Sequence, residues 1–459
     1  MIPTMRLPLR PVGVACMCLV LVLACLGPCA PVTVTADTPS RPQRAPSLRM
    51  ASPPDWAAAK GAADHPKLAQ PLALLRAHGA SQPPAEGVTG LRLHNGRVQV
   101  RIACDAANLE AVERCVAEGG GEVTGTAAGG RIVQAWVPPA MLDALAAAES
   151  VDYVGLPADA VSFEPQVGTA TTEALAAMGA TTWHAAGHRG AGVAVGLIEA
   201  GYQGYASLIG SDLPAAISVR NFVDGEALTE VEGSTAAGTA FAEIVHDVAP
   251  EATLYLARVQ TDVDLEEAVQ WLMASGIDVI ATSLVWLNVT PGDGSGYLAD
   301  LVAMVREAGI VWVSSAGDLR LHHWGGSFSD PDGDGVHDFG PSANIGDYLG
   351  AIPAGVPLEV YLRWDDWTTV TTDFDLVLLR YNPSSQVWEV IGGSWGYQYG
   401  QAGQTPTEYA QVVTYGETTY YGFAILRWDA ARAVHFEVFA GPYPLYEPVP
   451  ARSLPNLPD

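Results

Sequence analysis

The sequence predicts a mainly α/β chain: a doubly wound parallel sheet, preceded by a small α+β unit and followed by an all-β sandwich. Three observations predict it. Between Val193 and Ser314, apolar strand-like runs alternate with helical stretches of about ten residues, the pattern of a parallel sheet covered by helices on both faces. Ahead of this region, Arg97–Gly155 carries a β-α-β-β-α-β order. Behind it, from Tyr348, short alternating strands follow one another with no helix between them.

Taken in order, Arg97–Ala103 alternates as a strand, and Asn108–Glu118 has helical spacing with Leu109, Val112 and Val116 on one face. Glu122–Thr126, Arg131–Val137, Pro139–Glu149 and Val151–Gly155 complete a ferredoxin-like unit. The α/β region opens with Gly192–Gly201, an apolar run ending in Glu199 and a glycine. Such a run reads as a strand buried on both faces. Functional groups of open α/β sheets gather at the carboxyl ends of strands, so Glu199 is a candidate site residue. The alternative is a strand-end carboxylate pointing into water. Strands then follow at Ile217–Phe222, Thr253–Val259, Val279–Ser283 and Ile310–Ser314. Helices are expected near Tyr205–Ile209 and at Ala236–Val248, Leu265–Ala274 and Leu298–Glu307. The sandwich strands are Leu358–Trp364, Phe374–Tyr381, Trp388–Gly392, Tyr409–Val413, Tyr420–Leu426 and Ala433–Phe439.

The resulting division is a signal peptide over 1–36, a Pro/Ala-rich linker over 37–90, and the ferredoxin-like unit over 91–160. The α/β domain covers 161–345, the sandwich 346–442 and an irregular tail 443–459. One short helix is expected in the linker near Leu68–His78. Arg6 and Arg10 precede an apolar stretch, Val12–Leu26, too short to span a bilayer, and Val34-Thr35-Ala36 offers a small-residue cleavage site. Secretion is therefore expected. Val22-Leu23-Ala24-Cys25 is a poor lipobox, so lipid anchoring is the lesser reading. No later segment is long and apolar enough for a membrane helix. A formal net charge of -27 repels phosphate backbones and argues against nucleic acid as a partner. Of the six cysteines, only Cys104 and Cys115 lie beyond the signal region. Two thiols are no disulfide framework, although this pair is free to oxidise, and they lack zinc-site spacing.

Four blocks then carry a likeness: Gly190–Gly201, Gly238–Pro250, Ile280–Leu284 and Val311–Asp318. Together they resemble the ordered blocks of subtilisin-like serine peptidases (subtilases). The likeness extends to a secreted bacterial subfamily through Ala242–Asp247, the Phe328–Gly335 loop and the sandwich after that loop. The ferredoxin-like unit resembles a subtilase propeptide, which assists folding and inhibits the mature enzyme. The resemblance implies a Ser-His-Asp triad performing acyl transfer. At the aspartate position of that triad this sequence has Glu199, in Ile198-Glu199-Ala200-Gly201. The histidine block reads Ala237-Gly238-Thr239, so the general base is missing. His246 lies nine residues further along, about 13 Å away on a helix, whereas proton transfer needs about 3 Å. His322 and His323 are not aimed at the nucleophile by their spacing. The oxyanion asparagine is replaced by Asp318, an acceptor in place of a donor, and losing that donor alone costs about 10²–10³ in rate. The serine block Gly-Thr-Ser-x-Ala comes after the sandwich in the family and is absent from this sequence, which ends at Asp459. Gly392-Gly393-Ser394-Trp395-Gly396 fits G-x-S-x-G but lacks the strand-to-helix context that motif needs. Acid-protease cousins place Glu and Asp four apart on the helix, as in Glu243 and Asp247, but two turns nearer its start.

No catalytic residue is therefore intact, and the chain is expected to be an inactive or severely impaired endopeptidase relative. It is either a pseudoenzyme kept for binding or a cut-short peptidase with an incomplete, partly exposed core. The alternative class is a non-catalytic peptide- or glycan-binding protein. Its cleft residues would be Ser283, Leu284 and Val285, pairing with an extended peptide. Val285 stands where the family has glycine, which would narrow the cleft. Natural partner and oligomeric state are not specified by the sequence.

One motif is intact. Asp330, Asp332 and Asp334 occupy positions one, three and five of a calcium loop, with Gly335 at six, the Val336 carbonyl at seven and Asp338 at nine. The expected cofactor is a structural calcium at the junction of two domains; the alternative is a solvated acidic turn. Asp365, Asp366, Asp373 and Asp375 read as edge-strand charge or a second weak site. Trp364, Trp367 and Trp395 read as core packing or a carbohydrate surface.

Overall fold

The structure is a computed structural model that describes residues 65–78, 90–162, 174–315, 319–339, 346–398, 400–430, 432–441, 443–445 and 448. The signal segment, the lipobox and most of the linker lie outside these residues, as does Ala316–Asp318. The described chain is a mixed α/β protein with one parallel sheet and three antiparallel ones.

The N-terminal sheet contains β1 (Leu93–His94), β2 (Arg97–Ala103), β3 (Glu122–Ala127), β4 (Ile132–Val137) and β5 (Tyr153–Gly155). Its path is β1-β2-β4-β3, with β5 also on β2, and every pair is antiparallel. Helices α1 (Gln70–His78), α2 (Leu109–Glu118) and α3 (Leu142–Ala147) cover one face. Val112 and Val116 of α2 are buried in this core with Val98, Val100 and Ile102. Helix α1 was expected as one short helix within a linker, near Leu68–His78. Instead Leu68, Leu72, Ala73 and Leu75 join the same core. Pro- and Ala-rich composition hid four apolar side chains that fall on one helical face. Cys104 and Cys115 are both free thiols, and Cys104 donates to the Gly130 carbonyl at 3.4 Å.

Two short helices, α4 (Ala174–Ala177) and α5 (Ala180–Ala185), lead into the parallel sheet. Its strands are β6 (Ala194–Glu199), β7 (Ser218–Asn221), β8 (Thr253–Arg258), β9 (Val279–Thr282) and β10 (Val311–Ser314), in the order β10-β9-β6-β8-β7. Helix α6 (Ala237–Val248) packs Ala242 and Val245 on one face, against Val195, Leu197, Leu254 and Leu256. Helices α7 (Asp262–Ala274) and α8 (Tyr297–Glu307) cover the other, through Leu265, Val269, Leu272 and Leu301 on Ile198, Ala257 and Ile280. The first strand is thus central, its two neighbours arriving from opposite sides. In sheets of this kind that switch point is where a crevice is expected, at the carboxyl end of β6. Large exposed apolar side chains on this unit, such as Ile209, Leu228 and Met304, occur singly.

Two antiparallel sheets then face each other across one apolar core. The first is β11 (His323–Ser327), β18 (His435–Gly441), β13 (Pro357–Trp364) and β16 (Thr407–Val413); the second is β12 (Asp347–Ile352), β17 (Thr419–Asp429), β14 (Asp373–Asn382) and β15 (Val387–Ser394). Trp364, Phe374, Phe423 and Phe436 are buried at its centre. Two sequence expectations are corrected here. Strand β11 lies inside 161–345 yet pairs with β18; its five residues bury His323 and Trp324 on opposite faces and then run into Gly325-Gly326, so no apolar alternation made it legible. Asp373 and Asp375 are buried on β14, an interior strand, so they are not edge-strand charge. Trp364 donates its indole N–H to Thr372 Oγ1 inside the core and presents no carbohydrate surface. Leu445, in the tail, is buried in the same core.

Candidate functional site at the end of the central strand

Glu199 is the last residue of β6 and is fully buried. The reading of a carboxylate pointing into water is therefore overturned: the glycines that follow let other backbone close over it. A Cβ at Gly201 would lie 2.7 Å from the Glu232 carbonyl, and one at Gly238 would lie 2.5 Å from the Gly201 carbonyl and 2.7 Å from the Tyr202 ring. These two close approaches press the start of α6 onto the end of β6. The Gly238 N–H donates to the Gly201 carbonyl at 3.0 Å, and Thr239 Oγ1 donates to the Gln203 carbonyl at 3.0 Å.

Both Glu199 oxygens are engaged by one residue. The Ser283 N–H donates to Oε1 at 2.7 Å, and Ser283 Oγ donates to Oε2 at 2.8 Å. Burial pushes the Glu199 pKa up to about 7, against the lowering effect of these two hydrogen bonds. Tyr202, beneath it, donates to the Leu197 carbonyl at 2.7 Å. Burial, then the nearby Glu199, drives the Tyr202 pKa well above its usual value. Among the described residues no imidazole bonds to Glu199. Ala237, at the first turn of α6, is buried and donates its N–H to Thr235 Oγ1 at 3.0 Å. Asp318 lies outside the described residues.

His246 sits in the last turn of α6, with Nδ1 buried and unpartnered. Burial lowers its pKa, partly opposed by Asp247 and Asp212. Burial raises the pKa of Glu243, helped by Asp212 and Asp247. Ser394 ends β15 and donates to Glu408; an irregular segment follows it, not a helix.

The structure brings Ser283, Leu284 and Val285 directly after β9, beside Glu199. Leu284 donates its N–H to Thr282 Oγ1 at 3.1 Å, which in turn donates to the Ile198 carbonyl at 2.8 Å. Val285 packs with Leu287 and Phe439. The cavity behind Leu284, Val285 and Trp286 holds only about 30 Å³, room for about one water molecule. An extended segment of the chain itself already lies along this edge. Val161 N–H donates to the Val285 carbonyl at 2.8 Å, and Val285 N–H returns to the Val161 carbonyl at 3.2 Å. On its other side, Ala160 N–H donates to the Gln260 carbonyl at 2.8 Å, and Asp262 N–H donates to the Ala158 carbonyl at 3.0 Å. Residues 158–161 therefore bridge two strand ends. Sequence reasoning missed this segment because it straddles the expected boundary at 160/161.

The N-terminal unit docks on α7. Arg101 pairs with the fully buried Asp262 at 3.1 Å, and Ala128 N–H donates to Glu266 Oε2 at 2.7 Å. Thr261 caps α7 in a capping box with Asp264.

No protein family model matches the sequence, and no curated protein matches it. Solved structures do match. The CspB protease of Clostridium perfringens aligns at a TM-score of 0.38 and 12% identity, over 60% of this chain and 70% of that one. The epidermin leader peptide processing serine protease EpiP of Staphylococcus aureus aligns at 0.35 and 14%, over 49% and 60%. The MycP3 protease from the type VII (ESX-3) secretion system aligns at 0.26 and 26%, over 36% and 51%. These neighbours are proteases, and the overlaps are partial.

Proposed function

We propose that this chain is a secreted member of the subtilisin-like serine endopeptidase family whose own peptidase chemistry is absent or nearly so. The observation that carries the reading is the state of Glu199. It ends the central strand of a parallel sheet, at the place that the family's triad acid takes. Its carboxylate, however, accepts both hydrogen bonds from Ser283, and the block that resembles the family's histidine block carries Ala237 in place of an imidazole. A triad works as a unit, so losing one key member costs about 10⁶ in rate. The spine of the family's site is supported nonetheless: Gly201 against Gly238, the strand order around β6, and a small α+β unit docked on α7. That unit is read as a propeptide-type domain that stays in place. Labelling the purified chain with a serine-directed fluorophosphonate tests the proposal. No covalent adduct is expected; stoichiometric labelling that Glu199→Ala abolishes would overturn it.

A second reading, a non-catalytic peptide-binding protein, is favoured by one observation. The Val285 edge accepts an extended strand, Ala158–Val161, through paired backbone hydrogen bonds. Val161→Pro removes the N–H given to Val285. This reading expects an extended peptide in solution to bind the variant more tightly than the wild type. Equal, absent binding in both would remove it.

A further inference from the structure

A cavity of about 550 Å³ lies where the N-terminal unit, residues 156–162 and the first sandwich sheet meet. Small-molecule sites ordinarily hold about 300–1,000 Å³. Strand periodicity sets the sandwich side of it. Leu358, Val360 and Leu362 of β13, with Ala410 and Val412 of β16, belong to the apolar core. Alternate residues take the opposite face, so Glu359, Tyr361, Tyr409 and Gln411 turn outward, and all four line the cavity. The register sets Tyr361 across from Tyr409 and Glu359 across from Gln411. The two tyrosine rings lie 4.7 Å apart between centroids. Both hydroxyls donate to Glu359, Tyr409 to Oε1 at 3.2 Å and Tyr361 to Oε2 at 3.4 Å, and Gln411 Nε2 adds a bond to Oε1 at 3.0 Å. This wall is therefore preorganised by its own hydrogen bonds.

The other walls are also polar. Arg101 and Tyr153 come from the N-terminal unit, Ser162 from the segment after it, Asn288 from the loop after β9, and Gln398 and Glu408 from the sandwich. Gln398 donates its amide to Glu408 Oε1 at 2.8 Å, and Asn288 donates its amide to the Glu408 carbonyl at 2.9 Å, which identifies the opposite end of each amide as the oxygen. Those two oxygens and Ser162 Oγ are buried without a hydrogen-bond partner. Native structures retain few such atoms, and here three share one cavity wall.

The chemistry of the wall selects the ligand. An apolar molecule would leave its polar groups unpaired, at about 1–3 kcal/mol each. An anion would meet Asp159, Glu359 and Glu408, while Arg101, the one cation on the wall among the described residues, is engaged by Asp262 at 3.1 Å. Asp159 is paired with Arg92, and Glu359 accepts from three neutral groups, so the wall calls for hydrogen bonds and not for a counter-charge. A neutral molecule rich in hydroxyls meets these demands: it donates to the open oxygens and lays a C–H face on a tyrosine ring. We propose that this cavity binds a neutral saccharide, with a sugar ring against the Tyr361–Tyr409 pair and its hydroxyls on Glu359, Gln411 and Gln398. Walled by both units, the bound sugar would hold the N-terminal unit to the sandwich. The proposal does not depend on the peptidase reading.

Saturation-transfer NMR of the full chain tests it, with neutral di- and trisaccharides of glucose, N-acetylglucosamine, galactose, mannose and xylose as probes and putrescine as the cationic comparison. At least one saccharide should bind saturably, and Tyr409→Ala and Gln411→Ala should each weaken that binding about fivefold or more. Gln411→Ala keeps the tyrosine pair and covers the case in which Tyr409→Ala does not fold. Saturable binding weakened in either folded variant supports the site. No saturable binding of any saccharide, wild-type affinity in the folded variants, or binding of putrescine alone overturns it.

Discussion

Replacing Glu199 by glutamine isolates the energetics of the candidate site. Burial raises the carboxyl from 4.5 to about 7, a difference worth about 3 kcal/mol between its protonated and ionised forms. The folded chain holds this proton more tightly than the unfolded one. Glu199's contribution to stability is therefore fully present below about pH 4.5 and lost as pH rises through about 7. Glutamine offers Ser283 the same acceptor with no charge to bury. The variant and wild type should be nearly equal in stability at about pH 4, and the variant should be more stable by about 3 kcal/mol at about pH 8. Asp264 and Glu267, raised to about 6 and about 7, titrate in the same window, so the difference between the two urea curves is the quantity to read. A gap that does not change with pH, or a variant weaker at high pH, would refute the reasoning. Either would mean that Glu199 is ionised and paired.

Three further outcomes are expected. Gly238→Ala gains helix propensity but drives a methyl into the Gly201 carbonyl and the Tyr202 ring, so it should destabilise the chain by about 1–3 kcal/mol in a denaturant titration. Asp262→Ala leaves Arg101 without its partner at the interface of the N-terminal unit with α7, at a cost of about 3–5 kcal/mol, and limited proteolysis should then release the N-terminal unit first. Native thiol labelling should modify Cys115 before the buried Cys104; burial raises the pKa of both, so both should react slowly.

The sequence made some features legible and hid others for physical reasons. Strands β6, β8 and β9 were readable because strands buried on both faces are nearly continuous apolar runs. The position of Glu199 followed from where such a run ended. What Glu199 does there did not follow, because its partner Ser283 lies 84 residues away and is aimed by the register of β6 with β9. Helix α7 begins three residues earlier than its apolar spacing suggested, since its first turn is acidic: Asp262 and Asp264 are buried there by Arg101 and the cap. The pairing of Ala158–Val161 with Val285 was hidden for a related reason. Strand addition uses backbone groups, which every residue carries, and leaves no side-chain signature. The acidic loop of Asp330, Asp332 and Asp334 was the reverse case, a local motif legible from its spacing in the sequence alone.

The central claim is that Glu199 serves Ser283 as a buried acceptor and supports no hydrolysis. Turnover of a fluorogenic peptide library by the full chain, scanned across pH beside Glu199→Ala, tests it most directly. The account predicts the same background rate for both proteins at every pH. Peptide cleavage by the wild type that disappears in Glu199→Ala would contradict it.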